Sequence, residues 1–117
     1  MSTLSTILAA ILGIVLLGTG IAKLMGQQGM VDNFERWGLG RPGRVIIGSV
    51  EVLCALMLLT GIAVASLAIG GAMLVFVLMV GAVLTHGRVK DPPGDWVPPV
   101  VLLVLAVVLL YSLLPEG

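Results

Sequence analysis

The stretch Val45-Ile46-Ile47-Gly48-Ser49-Val50-Glu51-Val52-Leu53-Cys54-Ala55-Leu56-Met57-Leu58-Leu59 decides the fold of this chain. It reads as a membrane-spanning helix, yet it carries a carboxylate at Glu51. Insertion scales put an acidic residue at a helix centre at about 2.5–3.5 kcal/mol, so such a group faces a bundle interior or a watery cavity. The composition agrees with a bilayer setting. Of 117 residues, 59% are hydrophobic and 10% charged, and mean hydropathy is +1.21. A soluble domain carries about 25% charged residues. Formal net charge is zero and no basic tail or patch exists, which argues against nucleic acid as a partner. The single Cys54 lies in the apolar run, so it forms no internal disulfide and reads as core or lipid-facing filler.

Working outward, no charged residue other than Glu51 occurs from Val45 to Thr85, a run of 41 residues. As one helix it would measure about 60 Å, twice the hydrocarbon thickness, so it must fold back. Thr60-Gly61 is the best break, with Gly61 placed to end a helix. Spans are therefore expected at residues 4–24, 44–60, 65–85 and 97–114 of a single membrane domain covering residues 1–117. Asp95 is the expected N-cap of the last span, with Pro98-Pro99 in its first turn. Span one has no Lys or Arg before it and exceeds the core of a signal peptide, which favours a retained helix.

All six Lys and Arg fall in two places. Lys23, Arg36, Arg41 and Arg44 surround the link between spans one and two, while Arg88 and Lys90 lie between spans three and four. The positive-inside rule then puts both links in the cytoplasm and both termini outside. Within the first link, Met30, Val31, Phe34 and Trp37 share one helical face, and Asp32, Glu35 and Arg36 take the other. That is the pattern of a short helix lying in the interface plane. The fold class is thus all-α integral membrane: a four-transmembrane-helix bundle with a short interfacial helix between spans one and two.

Helical spacing puts Gly48, Glu51 and Ala55 on one face of span two. Small residues let a neighbouring helix approach, and span one offers Ala9, Gly13 and Gly20, span three Ser66, Gly70 and Gly81. Glu51 is therefore expected to face inward, about 10 Å from the end marked by Arg44. Antiparallel spans bring Lys23, Thr85 and His86 to that same end, with Asp91, Asp95 and Trp96 beside them. A cavity lined by Lys23, Glu51, Thr85 and His86 is expected there, with Thr85, Asp91, Asp95 and Trp96 as its candidate ligand-binding residues. Each residue also has a plainer role: Lys23 can snorkel, His86 can complement a helix C-terminus, Asp95 can cap, and Glu51 can fix helix register. One His and one Cys leave no metal set, and no nucleotide-binding or haem motif occurs.

Four segments together resemble the DoxX-like family of small four-helix bacterial membrane proteins. They are Gly18-Thr19-Gly20-Ile21-Ala22-Lys23-Leu24, Phe34-Glu35-Arg36-Trp37-Gly38-Leu39, Ile47-Gly48-Ser49-Val50-Glu51 and Gly81-Ala82-Val83-Leu84-Thr85-His86. The resemblance implies a multi-pass protein of the bacterial inner membrane. It also implies a link to quinol oxidation and to membrane redox partners, and it singles out Lys23, Glu51 and His86.

Three functions are open at this level, beside a purely structural subunit. The first is a binding or redox-accessory protein for a lipophilic small molecule, a quinone among the candidates, alone or as a homo-oligomer. The second is a cofactor-free enzyme, an isomerase or epoxide-opening catalyst, with Glu51 as general acid or base and Lys23 or His86 as its partner. The third is a small proton-coupled transporter. Metal chemistry has no ligands to support it.

Overall fold

A computed structural model describes residues 1–115. Five helices follow in order: α1 (Thr3–Met25), α2 (Gln28–Arg36), α3 (Gly40–Thr60), α4 (Ala65–Arg88) and α5 (Pro93–Ser112). No strand occurs among the described residues. All but α2 are long and apolar enough to cross a membrane. They pack in a ring, α1 against α3, α3 against α4, α4 against α5 and α5 back against α1. The long dimension is 45 Å, the thickness of a bilayer with its headgroups. The protein is therefore an all-α, four-helix membrane bundle in a lipid environment.

Side-chain burial follows from that solvent. Leu12, Leu16, Leu58, Val75 and Leu109 fill the centre, while Ile14, Ile46, Val77 and Leu84 face outward. Lipid tails are as apolar as leucine, so close backbone approach, not expulsion of water, holds the helices together. The α1–α3 contact is the most extensive. At its crossing a Cβ on Gly20 would stand 2.9 Å from the Gly48 carbonyl oxygen, and one on Gly48 would stand 2.9 Å from Lys23 Cβ. Gly13, Gly20, Gly48, Glu51 and Ala55 all face inward, as their spacing predicts.

The third span departs from its expected stripe. Ser66 and Gly81 are exposed, and α4 packs instead through Ala68, Gly71, Ala72, Val75 and Met79. The hairpin between α3 and α4 turns at Gly61, but for a different reason than a left-handed cap. Gly61 has φ −62°, and a Cβ there would lie 2.4 Å from the Ala68 amide nitrogen. The glycine is required by packing.

The start of α5 also differs. Pro92 is the N-cap and Pro93 the first helical residue, where a missing N–H costs nothing. The helix thus begins ahead of Asp95, which lies in the first turn and donates its own amide to the Pro92 carbonyl at 2.9 Å. Pro98 and Pro99 consequently fall inside the helix, so the carbonyls of Gly94 and Asp95 have no amide four residues on.

The loop at the polar end is shaped by two similar helix ends. Beyond α2, Gly38 takes φ 77°, and the Leu39 amide returns to the Phe34 carbonyl at 2.9 Å. Beyond α4, Lys90 takes φ 57°, and the Asp91 amide returns to the His86 carbonyl at 2.9 Å. Both follow the Schellman pattern, with a lysine where glycine is usual. That reversal folds Asp91 back under the ring of His86.

The helix crossing gives a direct test. G48A should lose about 1–3 kcal/mol of stability through overpacking. G18A, where an added methyl meets nothing within 4 Å, should change stability by no more than ~1 kcal/mol. Denaturation in mixed detergent micelles, followed by circular dichroism, measures both; equal behaviour would contradict the tight crossing.

Candidate functional site

The inward face of α3 carries Glu51, which is 3% exposed. Its partner comes from the last turn of α1. Lys23 Nζ lies 3.0 Å from both Oε1 and Oε2, a geometry that satisfies the carboxylate on two sides. Thr19, one turn earlier on α1, donates its hydroxyl toward Oε1 at 3.3 Å and shares that proton with the Leu16 carbonyl. The Arg44 guanidinium donates to the Lys23 backbone carbonyl and so ties the end of α1 to the start of α3. A buried pair of this kind is tolerable only because its partners are fixed in place, since removing one leaves an uncompensated charge.

A second polar group belongs to α4 and the loop after it. His86 Nδ1 lies 2.5 Å from Asp91 Oδ2. The same oxygen accepts the Trp37 Nε1–H at 3.1 Å, while Arg36 Nε pairs with Oδ1 at 3.2 Å. Trp96 Nε1 donates to the Asp91 carbonyl at 2.9 Å. Arg88 reaches across to the Trp37 carbonyl at 2.8 Å. Asp91 therefore joins α2, α4 and α5 at one end of the bundle. Burial alone would raise its pKa, but hydrogen bonds from His86, Trp37 and Arg36, with the Arg36 charge, hold the carboxyl below its ordinary range. An ionised carboxylate only accepts, so Nδ1 carries the proton of that bond, and a neutral ring presents Nε2 as an acceptor. No partner for Nε2 occurs among the described residues.

Between these two groups lies a cavity of about 610 Å³. Thr19, Lys23 and Glu51 line one side, Thr85 and His86 another. Helix α2 and its C-cap contribute Met30, Phe34 and Trp37, and α5 contributes Asp95, Pro98 and Pro99. Phe34 and Trp37 meet edge to face at 4.9 Å, and Trp37 meets His86 the same way at 5.3 Å. This aromatic row anchors α2 across the polar end of the bundle. The Thr85 hydroxyl donates back to the Gly81 carbonyl at 2.8 Å, which leaves only its lone pairs for other partners.

The residues singled out by sequence thus fall into two sets. Lys23, Glu51, Thr85, His86 and Asp95 line the cavity. Asp91 and Trp96 do not: both lie behind His86, the first hydrogen-bonded to it and the second stacked on it at 6.5 Å. Sequence reasoning missed Thr19, whose signal was its position one turn before Lys23. It also missed that α2 would wall the cavity, although Phe34 and Trp37 had been placed on one face. Among the described residues no cluster of His, Cys, Asp or Glu could hold a metal ion.

The depressed Asp91 pKa fixes the sign of a pH effect. The native state binds the Asp91 proton less tightly than the unfolded chain does. The stabilisation is therefore fully present above the ordinary carboxylate value, about 3.9, and is lost as pH falls through the lower folded value. In a W96F background, where Trp37 is the remaining tryptophan, D91N should shift its emission to the red at neutral pH. The W96F parent should hold its emission down to about pH 4 and shift only below it. An unshifted D91N spectrum would show that Asp91 does not hold α2.

A family model described as the DoxX-like family matches residues 7–109. No curated protein and no solved structure matches the chain. The family match runs from the first turns of α1 nearly to the end of α5 and takes in both polar groups, so the chain belongs to the DoxX-like family.

Proposed function

We propose that the protein binds a lipophilic small molecule in the cavity between Glu51 and His86, as a binding or redox-accessory protein of the membrane. The observation that carries this reading is a volume of about 610 Å³, within the range of ligand sites, whose largely apolar wall is broken by a few placed polar groups. Charge balance at the inner end supports an uncharged head. Lys23 and Glu51 offset each other, as do Arg36 and Asp91, and the remaining acid of the wall, Asp95, is exposed at the polar end, so a charged head beside Glu51 and His86 would be buried without a partner. Lys23 offers an N–H from one wall, where Thr19 has only its lone pairs to spare, and His86 Nε2 offers a lone pair from another. A quinone head has suitable chemistry, being neutral: one carbonyl oxygen accepts from Lys23, and in the quinol form a hydroxyl on the opposite edge donates to His86 Nε2.

The E51Q variant keeps the side-chain shape and removes the charge partner of Lys23. Native mass spectrometry of the protein extracted from its own membrane should show a bound lipophile with wild type and at least a tenfold weaker signal with E51Q, about 1.4 kcal/mol of affinity. An unchanged bound-lipid profile in a folded E51Q protein would oppose the proposal.

A second reading, an enzyme, is favoured by the orientation of His86 by Asp91. In an isomerisation, His86 Nε2 takes a proton from an allylic carbon of an enone and returns it at the far carbon. Lys23 meanwhile hydrogen-bonds the developing enolate oxygen, and no oxidant or reductant is needed. The same purified wild-type and E51Q proteins, incubated with isoprenoid enones in deuterated water, decide between the readings. Deuterium incorporation by wild type supports catalysis, and binding without incorporation leaves the binding protein.

The basic residues of both polar links lie at the cavity end, which supports a cytoplasmic mouth in a bacterial inner membrane. A cysteine introduced at Gly94 should then stay unlabelled by an impermeant maleimide in intact cells and react in inverted vesicles. The reverse pattern would turn the protein over.

A further inference from the structure

Gly70, Val77, Gly81 and Arg88 stand seven, four and seven residues apart, which aligns them along one stripe of α4. The two ends of that stripe are closed. At Gly70 an added Cβ would meet Met57 of α3 at 2.9 Å, and at the other end Arg88 bonds the Trp37 carbonyl after α2. The middle is open. Val77 lines the cavity and is nevertheless 67% exposed, and Gly81 also lines it, is exposed, and has nothing within 4 Å of an added Cβ. Ile47 of α3 lines the same cavity.

These positions describe a window in the wall between α3 and α4. The helix hairpin bounds it on one side and α2 on the other. Val77 lies 12 residues after Ala65 and 11 before Arg88, so that edge of the window is about 16–18 Å from either end of α4, and Gly81 is about 10 Å from Arg88. In a bilayer that is hydrocarbon depth, where the medium outside the window is acyl chain. The edge formed by Val77 and Gly81 is about 6 Å tall, enough for one chain to pass. Asn33, Arg36 and Asp95 line the cavity nearer the polar end, so its polarity rises away from the window.

We infer that the cavity admits a single-chain amphiphile sideways from the bilayer, its neutral oxygenated head beside Lys23, Glu51 and His86 and its tail leaving between α3 and α4 past Val77 and Gly81. This rests on the reading of the cavity as a lipophile site and names the class of lipophile. The molecule need not cross the aqueous side, because the window faces the phase in which it is dissolved. A rigid ring without a tail would fill the polar end and leave the window to lipid.

The test uses a monoacylglycerol with a diazirine in mid-chain, added to the full-length protein in phospholipid nanodiscs and photolysed, with adducts mapped by mass spectrometry. Wild type should carry label on cavity-wall residues of α3 and α4. G81W should reduce that label about tenfold, equivalent to ~1.4 kcal/mol. L84W, at a lipid-facing position of α4 that does not line the cavity, should leave it unchanged. Should G81W fold poorly, G81C alkylated after folding with a bulky maleimide supplies the same block. Cavity-wall labelling that survives both blocks overturns the window. Label confined to the lipid-facing surface in wild type overturns the lipophile site itself, and the two failures are thereby distinct.

Discussion

A bilayer cannot solvate a carboxylate, and the arrangement around Glu51 answers that constraint. The group sits deep in α3 with a lysine and a threonine from α1 within hydrogen-bonding reach. That reach exists only because the α1 and α3 backbones nearly touch one turn away, where Gly20 faces Gly48. A larger residue at either position would move Lys23 away from its partner. The glycine crossing and the ion pair are therefore one device: close backbone approach supplies the geometry, and the pair offsets part of the cost of the buried charge. With α1 locked to α3 on one side of the ring, α4 and α5 complete the bundle around the space that remains.

That space is kept open by the second polar group. Asp91 collects His86, Trp37, Arg36 and the Trp96 ring around one carboxylate and backbone carbonyl. Through Trp37 it draws α2 across the end of the bundle. At the opposite end, Gly61 against Ala68 clamps the same two helices tightly. With α3 and α4 clamped at the hairpin and α4 tied to the end of α2 by Arg88 at the other, a space is left between them, and Gly81 adds no side chain to fill it. The internal prolines of α5 contribute to the same wall, placed there by a helix start two residues earlier than Asp95.

Much of this was legible in the chain. Hydropathy and length located the four spans, and the amphipathic pattern around Phe34 and Trp37 located α2, because both signals are local. The inward face of Glu51 followed from Gly48 and Ala55 at helical spacing. The packed stripe of α4 did not follow, because glycine and alanine occur on several of its faces and only neighbouring helices choose among them. Asp91 and Trp96 were placed on the cavity, whereas a left-handed Lys90 turns Asp91 behind His86. No residue pattern announces a lysine in that conformation.

The sequence by itself determined a membrane protein with four apolar helices, one interfacial helix and an inward carboxylate. These are consequences of which residues oil tolerates and how often they recur. Only the tertiary structure decided which base meets which acid, that Thr19 joins the first pair, and that α2 walls the cavity. Those outcomes depend on interhelical distances of a few ångströms, set by contacts between residues far apart in the chain. The Lys23–Glu51 pair spans 28 positions and the Trp37–Asp91 bond 54, separations over which no local pattern carries information.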